Sequence, residues 1–257
     1  MDIDTVMGTD IMVRSKQMID LHTHILPAID DGAQSIAESV ALLKEEQKQG
    51  VSTVVLTPHY NNEVLDLNLF LKQRNDSYAA LIEAVKKENL SMNLLLGAEV
   101  YLDPFIVTID LSQLVIENTN YILLELPVTH FPVNIKKVFY HIRLKGFIPI
   151  LAHVERYTYF RNRPEILKDL VDTGVLCQIN ADKLFKWRDQ KFIRSCFIHD
   201  MVHVLASDTH SLDKRPPLLA DAYKKVEKMI NKSTRKYLED NAAKIIQNQP
   251  LFIHAVN

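Results

Sequence analysis

Residues 18–24 read MIDLHTH, an apolar start that ends in two histidines one residue apart. On an extended strand, residues i and i+2 point to the same side, so His22 and His24 can reach one metal ion. Imidazole combined with carboxylate suits Zn, Mn or Fe. Working outward, similar apolar runs stand at 51–57, 94–98, 121–126, 147–152, 175–179 and 202–206. With the first run at 18–22, each spans five to seven residues rich in Val, Ile and Leu. That is the pattern of strands buried on both faces.

Helix signals separate these runs. Ser35-Ile36-Ala37-Glu38 is a capping box, and its helix runs to Gly50, a residue that tolerates positive φ. Tyr78, Ala79, Leu81, Ile82 and Val85 form a helical stripe, and Ile135, Val138, Phe139 and Ile142 form another ended by Gly146. Pro164 stands at a first turn, followed by Leu167, Leu170 and Val171 and closed by Gly174. Phe192, Ile193, Cys196 and Phe197 make one more stripe, and helices are expected over 217–230 and 233–247. Seven β-then-α units predict an α/β fold whose parallel sheet closes into a (β/α) TIM-like barrel one unit short of eight.

No Pro/Ser-rich linker splits the chain, so 18–257 is read as one domain. Residues 1–17 carry neither periodicity nor an apolar signal-peptide core. They are expected to be a disordered lead, or an added tail ahead of a natural start at Met18. Hydrophobic residues are 47% and charged residues 24% of the 257, which excludes a disordered or low-complexity chain. A formal net charge of −2 implies no field-driven affinity for nucleic acid or anionic membrane. The longest apolar runs are far too short for bilayer insertion. Only Cys177 and Cys196 are present, which excludes a disulfide framework and suits a reducing cytoplasm. The six glycines are widely scattered, so neither a P-loop nor a dinucleotide-binding glycine motif exists. Phosphate handling must therefore use side chains or metals.

The C-terminal ends of the runs hold the chemistry. They read Asp20-Leu21-His22-Thr23-His24, Thr57-Pro58-His59, Gly97-Ala98-Glu99, Leu124-Glu125-Leu126, Ala152-His153-Val154-Glu155-Arg156, Gln178-Ile179-Asn180 and Ser207-Asp208-Thr209-His210. In parallel barrels the active site is built at that face. Asp31, in the loop after the first run, can join them. The candidate ligands are His22, His24, Asp31, His59, Glu99, Glu125, His153, Asp208 and His210, five imidazoles and four carboxylates. One catalytic ion takes about three protein ligands, so this set points to two or three ions. Taken singly, a histidine is more often a satisfied core or surface residue, and His130, His141, His199, His203 and His254 are read that way. Asp30 reads as a helix cap, and Asp31 could be one too. Glu125 alone could partner a buried arginine. Asn180 is either a support for a ligand or substrate-facing.

Arg156 and Arg215 follow His153 and His210 in the same rim loops, and guanidinium matches phosphate oxygens through its planar fork. A thiolate phosphatase needs an arginine six positions after its cysteine. Here those positions hold Lys183 and Val202. Both cysteines read as core.

The ordered set from DLHTH to Ser207-Asp208-Thr209-His210 resembles the polymerase and histidinol phosphatase (PHP) superfamily. Ile122-Leu123-Leu124-Glu125, His153-Val154-Glu155-Arg156-Tyr157 and the stretch 206–216 are similar to the metal-dependent protein tyrosine phosphatases encoded with capsule and exopolysaccharide genes of Gram-positive bacteria. The similarity runs from Met18 to about Asn248. It implies a distorted seven-stranded (β/α) barrel, the PHP fold, holding three divalent ions. Manganese comes first among them, with Fe, Zn, Co or Mg as alternatives. It also implies that the nine ligands match in order, that Arg156 and Arg215 bind phosphate, and that the substrate is the phosphorylated tyrosine-rich tail of a bacterial tyrosine kinase. The segment 61–68 and the loop 127–134 vary in such proteins. Two other readings stay open: a PHP phosphoesterase acting on histidinol phosphate or a nucleotide, and a non-catalytic metal-stabilised scaffold.

Overall fold

The structure is a computed structural model and describes residues 18–251. The lead at 1–17 and His254 lie outside the described residues. Among the described residues nine strands follow in order: β1 Met18–Thr23, β2 Val51–Leu56, β3 His59–Tyr60, β4 Asn93–Leu96, β5 Glu99–Tyr101, β6 Tyr121–Glu125, β7 Ile148–Leu151, β8 Leu176–Asn180 and β9 Val204–Ala206. All pairings between them are parallel. Each of the seven apolar runs contributes a strand, but two runs break. Pro58, which has no N–H to give a ladder, separates β2 from β3. Gly97 and Ala98 separate β4 from β5. Across the breaks, Gly97 N–H donates to Leu56 O (2.9 Å) and Glu99 N–H to Pro58 O (3.0 Å).

The hydrogen bonding therefore gives two curled parallel sheets, a three-stranded β1-β2-β4 and a six-stranded β3-β5-β6-β7-β8-β9. That replaces the single seven-stranded ladder expected from the sequence. β1 and β9 approach each other beyond their own ladders. Thr23 bridges Thr209, Asp208 N–H donates to His22 O (2.9 Å), and His24 N–H donates to Thr209 O (2.8 Å).

The helices are α1 Ile36–Lys48, α2 Leu67–Lys87, α3 Ile135–Leu144, α4 Thr158–Asn162, α5 Pro164–Asp172, α6 Trp187–Ile198, α7 Leu219–Met229 and α8 Lys232–Ile246. Ser35 caps α1 as expected, accepting from Glu38 N (3.2 Å), while the Glu38 carboxylate takes the N–H of Gln34. α2 begins eleven residues before the stripe read from Tyr78, because Asp66 accepts from Asn68 N and Leu69 N. α8 starts one residue early behind Asn231, whose side chain accepts from Thr234 N (2.8 Å). Among the described residues no helix is long and apolar enough to cross a membrane.

Strand alternation splits the core into two layers. Ile122 and Leu124 of β6 pack outward with Phe139 and Leu167 of the helices. Leu123, with Ile19, Leu21, Ile150, Leu176 and Val204, forms a second cluster inside, joined by Ala242 and Ile245 of α8. The same alternation carries the inner face upward: Leu123 is followed by Glu125, and Leu176 by Gln178 and Asn180. Apolar packing thus fills the inside of the sheets and leaves its C-terminal rim to polar groups.

Candidate metal centre

All nine expected ligands converge at that rim, and Glu99 lies at the middle. Its Oε2 is 3.2 Å from both His22 Nε2 and His24 Nε2 and 3.1 Å from His59 Nδ1. Its Oε1 is 2.7 Å from His153 Nε2. Asp208 Oδ1 reaches His22 and His24 at 3.5 and 3.4 Å. Asp31 Oδ1 stands between His59 Nε2 (3.4 Å) and His210 Nε2 (3.3 Å). Glu125 faces His59 at 3.7 Å and His153 at 3.5 Å. Three sets have ligand atoms within 4.8 Å of one another: His24, Asp31, His59 and His210; His22, His24 and Glu99; His59, Glu99 and Glu125.

The supports of these rings decide what the cluster can hold. His24 Nδ1 lies 2.7 Å from Asp30 Oδ2, His22 Nδ1 lies 3.2 Å from Gln178 Oε1, and His210 Nδ1 lies 2.8 Å from Asp208 O. Each oxygen accepts, so each ring carries its proton on Nδ1 and presents a lone pair at Nε2. Yet His22 Nε2 and His24 Nε2 face each other at 3.1 Å. Two lone pairs that close repel unless a cation or a proton lies with them. Glu99 Oε2, Asp208 Oδ1 and His210 Nε2 are also buried without a hydrogen bond. Orphaned acceptors aimed at one space fit divalent cations, and the nitrogen–oxygen donor set agrees.

The backbone is arranged around this cluster. His153 and Asp208 both adopt left-handed φ values, 35° and 55°. Such conformations cost about 1–3 kcal/mol each for non-glycine residues and concentrate at functional sites. Gly32 sits so close under β1 that a Cβ there meets His24 O at 2.0 Å. Only glycine lets the Asp30–Asp31 loop lie against His24, with Gly32 N–H donating to Asp30 Oδ1 (2.9 Å).

Charge inside the cluster is strongly mutual. Burial pushes the Glu99 carboxyl up, but His22 and His153 outweigh it and hold it well below the usual range. Burial opposes ionisation of Asp208 as well, and His22 and His24 still bring it to about 2. His153 is lifted to about 9 because Glu99 outweighs its desolvation. His24 is raised too, by Asp30 and Glu99 against burial. The carboxylates are thus ionised and ready to ligate, and cation binding displaces protons from imidazoles. At the mouth, Arg156 Nη1 and Arg215 Nη1 stand 3.6 and 3.5 Å from Asp208 Oδ2, and Arg215 Nη2 is 2.8 Å from Asp31 Oδ2. Both arginines are about one-third exposed, at 36% and 32%, so a bound anion can reach them.

The sequence reading missed two supports. Asp30, expected as a helix cap, instead orients His24 and accepts the His59 N–H (3.1 Å). Gln178 also accepts the His153 N–H (2.8 Å) and donates to Asn180 Oδ1 (2.8 Å). Asn180 in turn donates to Asp208 Oδ2 (2.6 Å), which makes it a support. The i, i+2 spacing of Gln178 and Asn180 was the available signal. His203 stands just before β9 rather than inside it, and is buried away from the cluster. Cys177 and Cys196 are buried, and burial pushes the Cys196 thiol up to about 12.

Comparison with known proteins identifies relatives of this chain. The chain is 33% identical to the tyrosine-protein phosphatase YwqE of Bacillus subtilis, over 91% of this chain and 94% of that protein. It is 30% identical to the tyrosine-protein phosphatase CpsB of Streptococcus agalactiae, over 90% of this chain and 99% of that one. A solved structure from work on YwqE and Streptococcus pneumoniae CpsB, described as unique metal-dependent tyrosine phosphatases, superposes with a TM-score of 0.83 at 32% identity. The match covers 91% of this chain and 96% of that chain. A histidinol phosphate phosphatase from Lactococcus lactis shares the fold at a TM-score of 0.55 and 13% identity. The family model described as capsular polysaccharide synthesis, CpsB/CapC, matches residues 18–247, and the chain belongs to that family.

Proposed function

We propose that this chain is a metal-dependent tyrosine-protein phosphatase that hydrolyses phosphotyrosine in proteins. The observation that carries the reading is the convergence of five imidazoles and four carboxylates on one rim, with two arginines at its mouth. The three ligand sets support three divalent ions, manganese first, with Fe, Zn, Co or Mg able to occupy the same donors. When bound, such ions supply Lewis acidity and a water of lowered pKa. The chain's own part is to hold the ligands and orient the ester. Asp30, Gln178 and the Asp208 carbonyl fix the rings of His24, His22 and His210. Arg156 and Arg215 turn from Asp208 and Asp31 to the phosphoryl oxygens and stabilise charge on them in the in-line transition state. Tyrosine's phenol leaves with modest acid help, since its pKa is about 10. Neither cysteine is placed to act as a nucleophile.

The distorted seven-stranded PHP barrel is the description that best joins the two sheets, given the β1–β9 contacts. Residues 18–257 are read as the phosphatase domain, with 1–17 as a lead or an added tail outside it. The substrate is the phosphorylated tyrosine-rich tail of a bacterial tyrosine kinase in the cytoplasm, and its dephosphorylation tunes capsule or exopolysaccharide synthesis. Names of the relatives and the family description support this choice over other PHP phosphoesters. Chelation followed by refilling tests it. Stripped protein is expected to lose hydrolysis of a phosphotyrosine peptide, and added Mn²⁺ to restore it, with histidinol phosphate a poorer substrate. Full activity in EDTA sinks the metal reading.

A further inference from the structure

Beside the cluster opens a cleft of about 360 Å³, a volume suited to a small ligand group. One wall is the proposed reaction site itself: His59, Glu125 and Arg156. The other wall is Tyr101 with Pro127 and Val128. Tyr101 follows Glu99 by two residues on β5, so both side chains leave the strand on the same side. It sits in register with Glu125 across the β5–β6 pair. Two strand residues advance by about 7 Å, so Tyr101 stands one ring's depth outward from the Glu99 carboxylate.

The loop that follows β6 is moored at its start. Leu126 N–H donates to the Tyr157 hydroxyl (2.9 Å), and the Tyr159 hydroxyl donates to Pro127 O (2.9 Å). Further on, Phe131 packs edge-on against Tyr159, with ring centres 5.5 Å apart. Val128, between Pro127 and Phe131, is 45% exposed. One cleft thus joins an exposed apolar residue and an aromatic ring to an arginine, the apolar and anion-binding surfaces that a phosphorylated phenol needs.

We propose that this cleft seats the aryl ring of the substrate ester, and that Tyr101 and Val128 are the residues that select aryl over alkyl phosphates. The inference rests on the phosphatase reading and deepens it. Phosphoserine joins its phosphate to the backbone through a single carbon. To place its phosphorus at Arg156 it must bring peptide backbone to where Tyr101 and Val128 stand. Phosphotyrosine puts a ring there and keeps its backbone outside.

The experiment compares metal-loaded full-length protein with Tyr101→Ala, Tyr101→Phe and Val128→Ser. Substrates are a phosphotyrosine peptide and the matching phosphoserine peptide, and phenylphosphonate binding is followed by calorimetry. Tyr101→Ala is expected to cut the aryl-to-alkyl ratio of kcat/KM about tenfold and to weaken phenylphosphonate similarly. Tyr101→Phe is expected to restore both, and Val128→Ser to lower the ratio less. Metal content by elemental analysis is expected to hold throughout. Equal loss on both esters, an unchanged ratio, or loss of metal in Tyr101→Ala overturns the cleft assignment alone. Wild-type protein that turns over neither ester overturns the phosphatase reading, and the cleft with it.

Discussion

The two ends of β9 each carry a buried histidine, and the two have opposite company. His203, before the strand, is 1% exposed; its Nδ1 accepts the Cys177 N–H (3.1 Å), and burial pulls its pKa to about 4. His210, beyond the strand, is 3% exposed, and burial together with His24 pulls it to about 3. By burial and basicity they look alike. But His203 has a backbone N–H as its partner at Nδ1, and Asn241 is bonded to its backbone carbonyl (2.9 Å). His210 stacks on His24 at 3.9 Å between ring centres and shares Asp31 with His59. Neither depth nor pKa tells the two apart. What does is the presence of other acceptors aimed at the same space as His210.

If that contrast is right, disturbing the far end should change chemistry and disturbing the near end only stability. The largest effect is expected from Arg156→Ala and Arg215→Ala, each lowering kcat about a hundredfold while bound metal, measured by elemental analysis, stays level. Loss of metal in either variant blurs the contrast by making the arginines part of the scaffold. The near end should show its character in pH dependence. His203 has a folded pKa below its unfolded value of about 6.5, so the unfolded chain binds the extra proton. Its stabilising contribution is complete above about pH 6.5 and fades as pH falls toward 4, by up to about 3 kcal/mol. His203→Gln removes that term. Denaturant unfolding of metal-loaded wild type and variant at pH 7 and pH 4.5 should therefore converge or cross on acidification. Parallel losses place the proton elsewhere. The smallest effect is expected for Cys177→Ser, which should leave turnover per bound metal unchanged, and an inactive variant would restore a thiol to the mechanism.

Much of this was legible because the decisive residues sit at strand ends, where period-two spacing and an apolar run identify both element and direction. His22, His24, Asp208 and His210 follow from that logic, and they lie together in the fold. Other features depend on loops, which carry no period. Nothing in Asp30-Asp31-Gly32 says which aspartate turns toward His24 and which toward His59 and His210. Gln178 is a neutral amide that looks like any strand residue until its oxygen is seen bridging His22 and His153. The breaks at Pro58 and Gly97 were visible as residues, but whether a run kinks into separate sheets depends on its neighbours' hydrogen bonds. The full length of α2 was hidden because its first half, from Leu67, carries few buried residues beyond Phe70 and Arg74.

The contact of β1 with the segment after β9 has a consequence for how the protein is made. The first strand leaves the ribosome with His22 and His24, but their partners Asp208 and His210 come nearly two hundred residues later. No shorter nascent chain owns the whole cage, and the bridge from Thr23 to Thr209 forms only after the last of it has emerged. The full cluster of imidazoles and carboxylates therefore closes only when the late segment meets the earliest one.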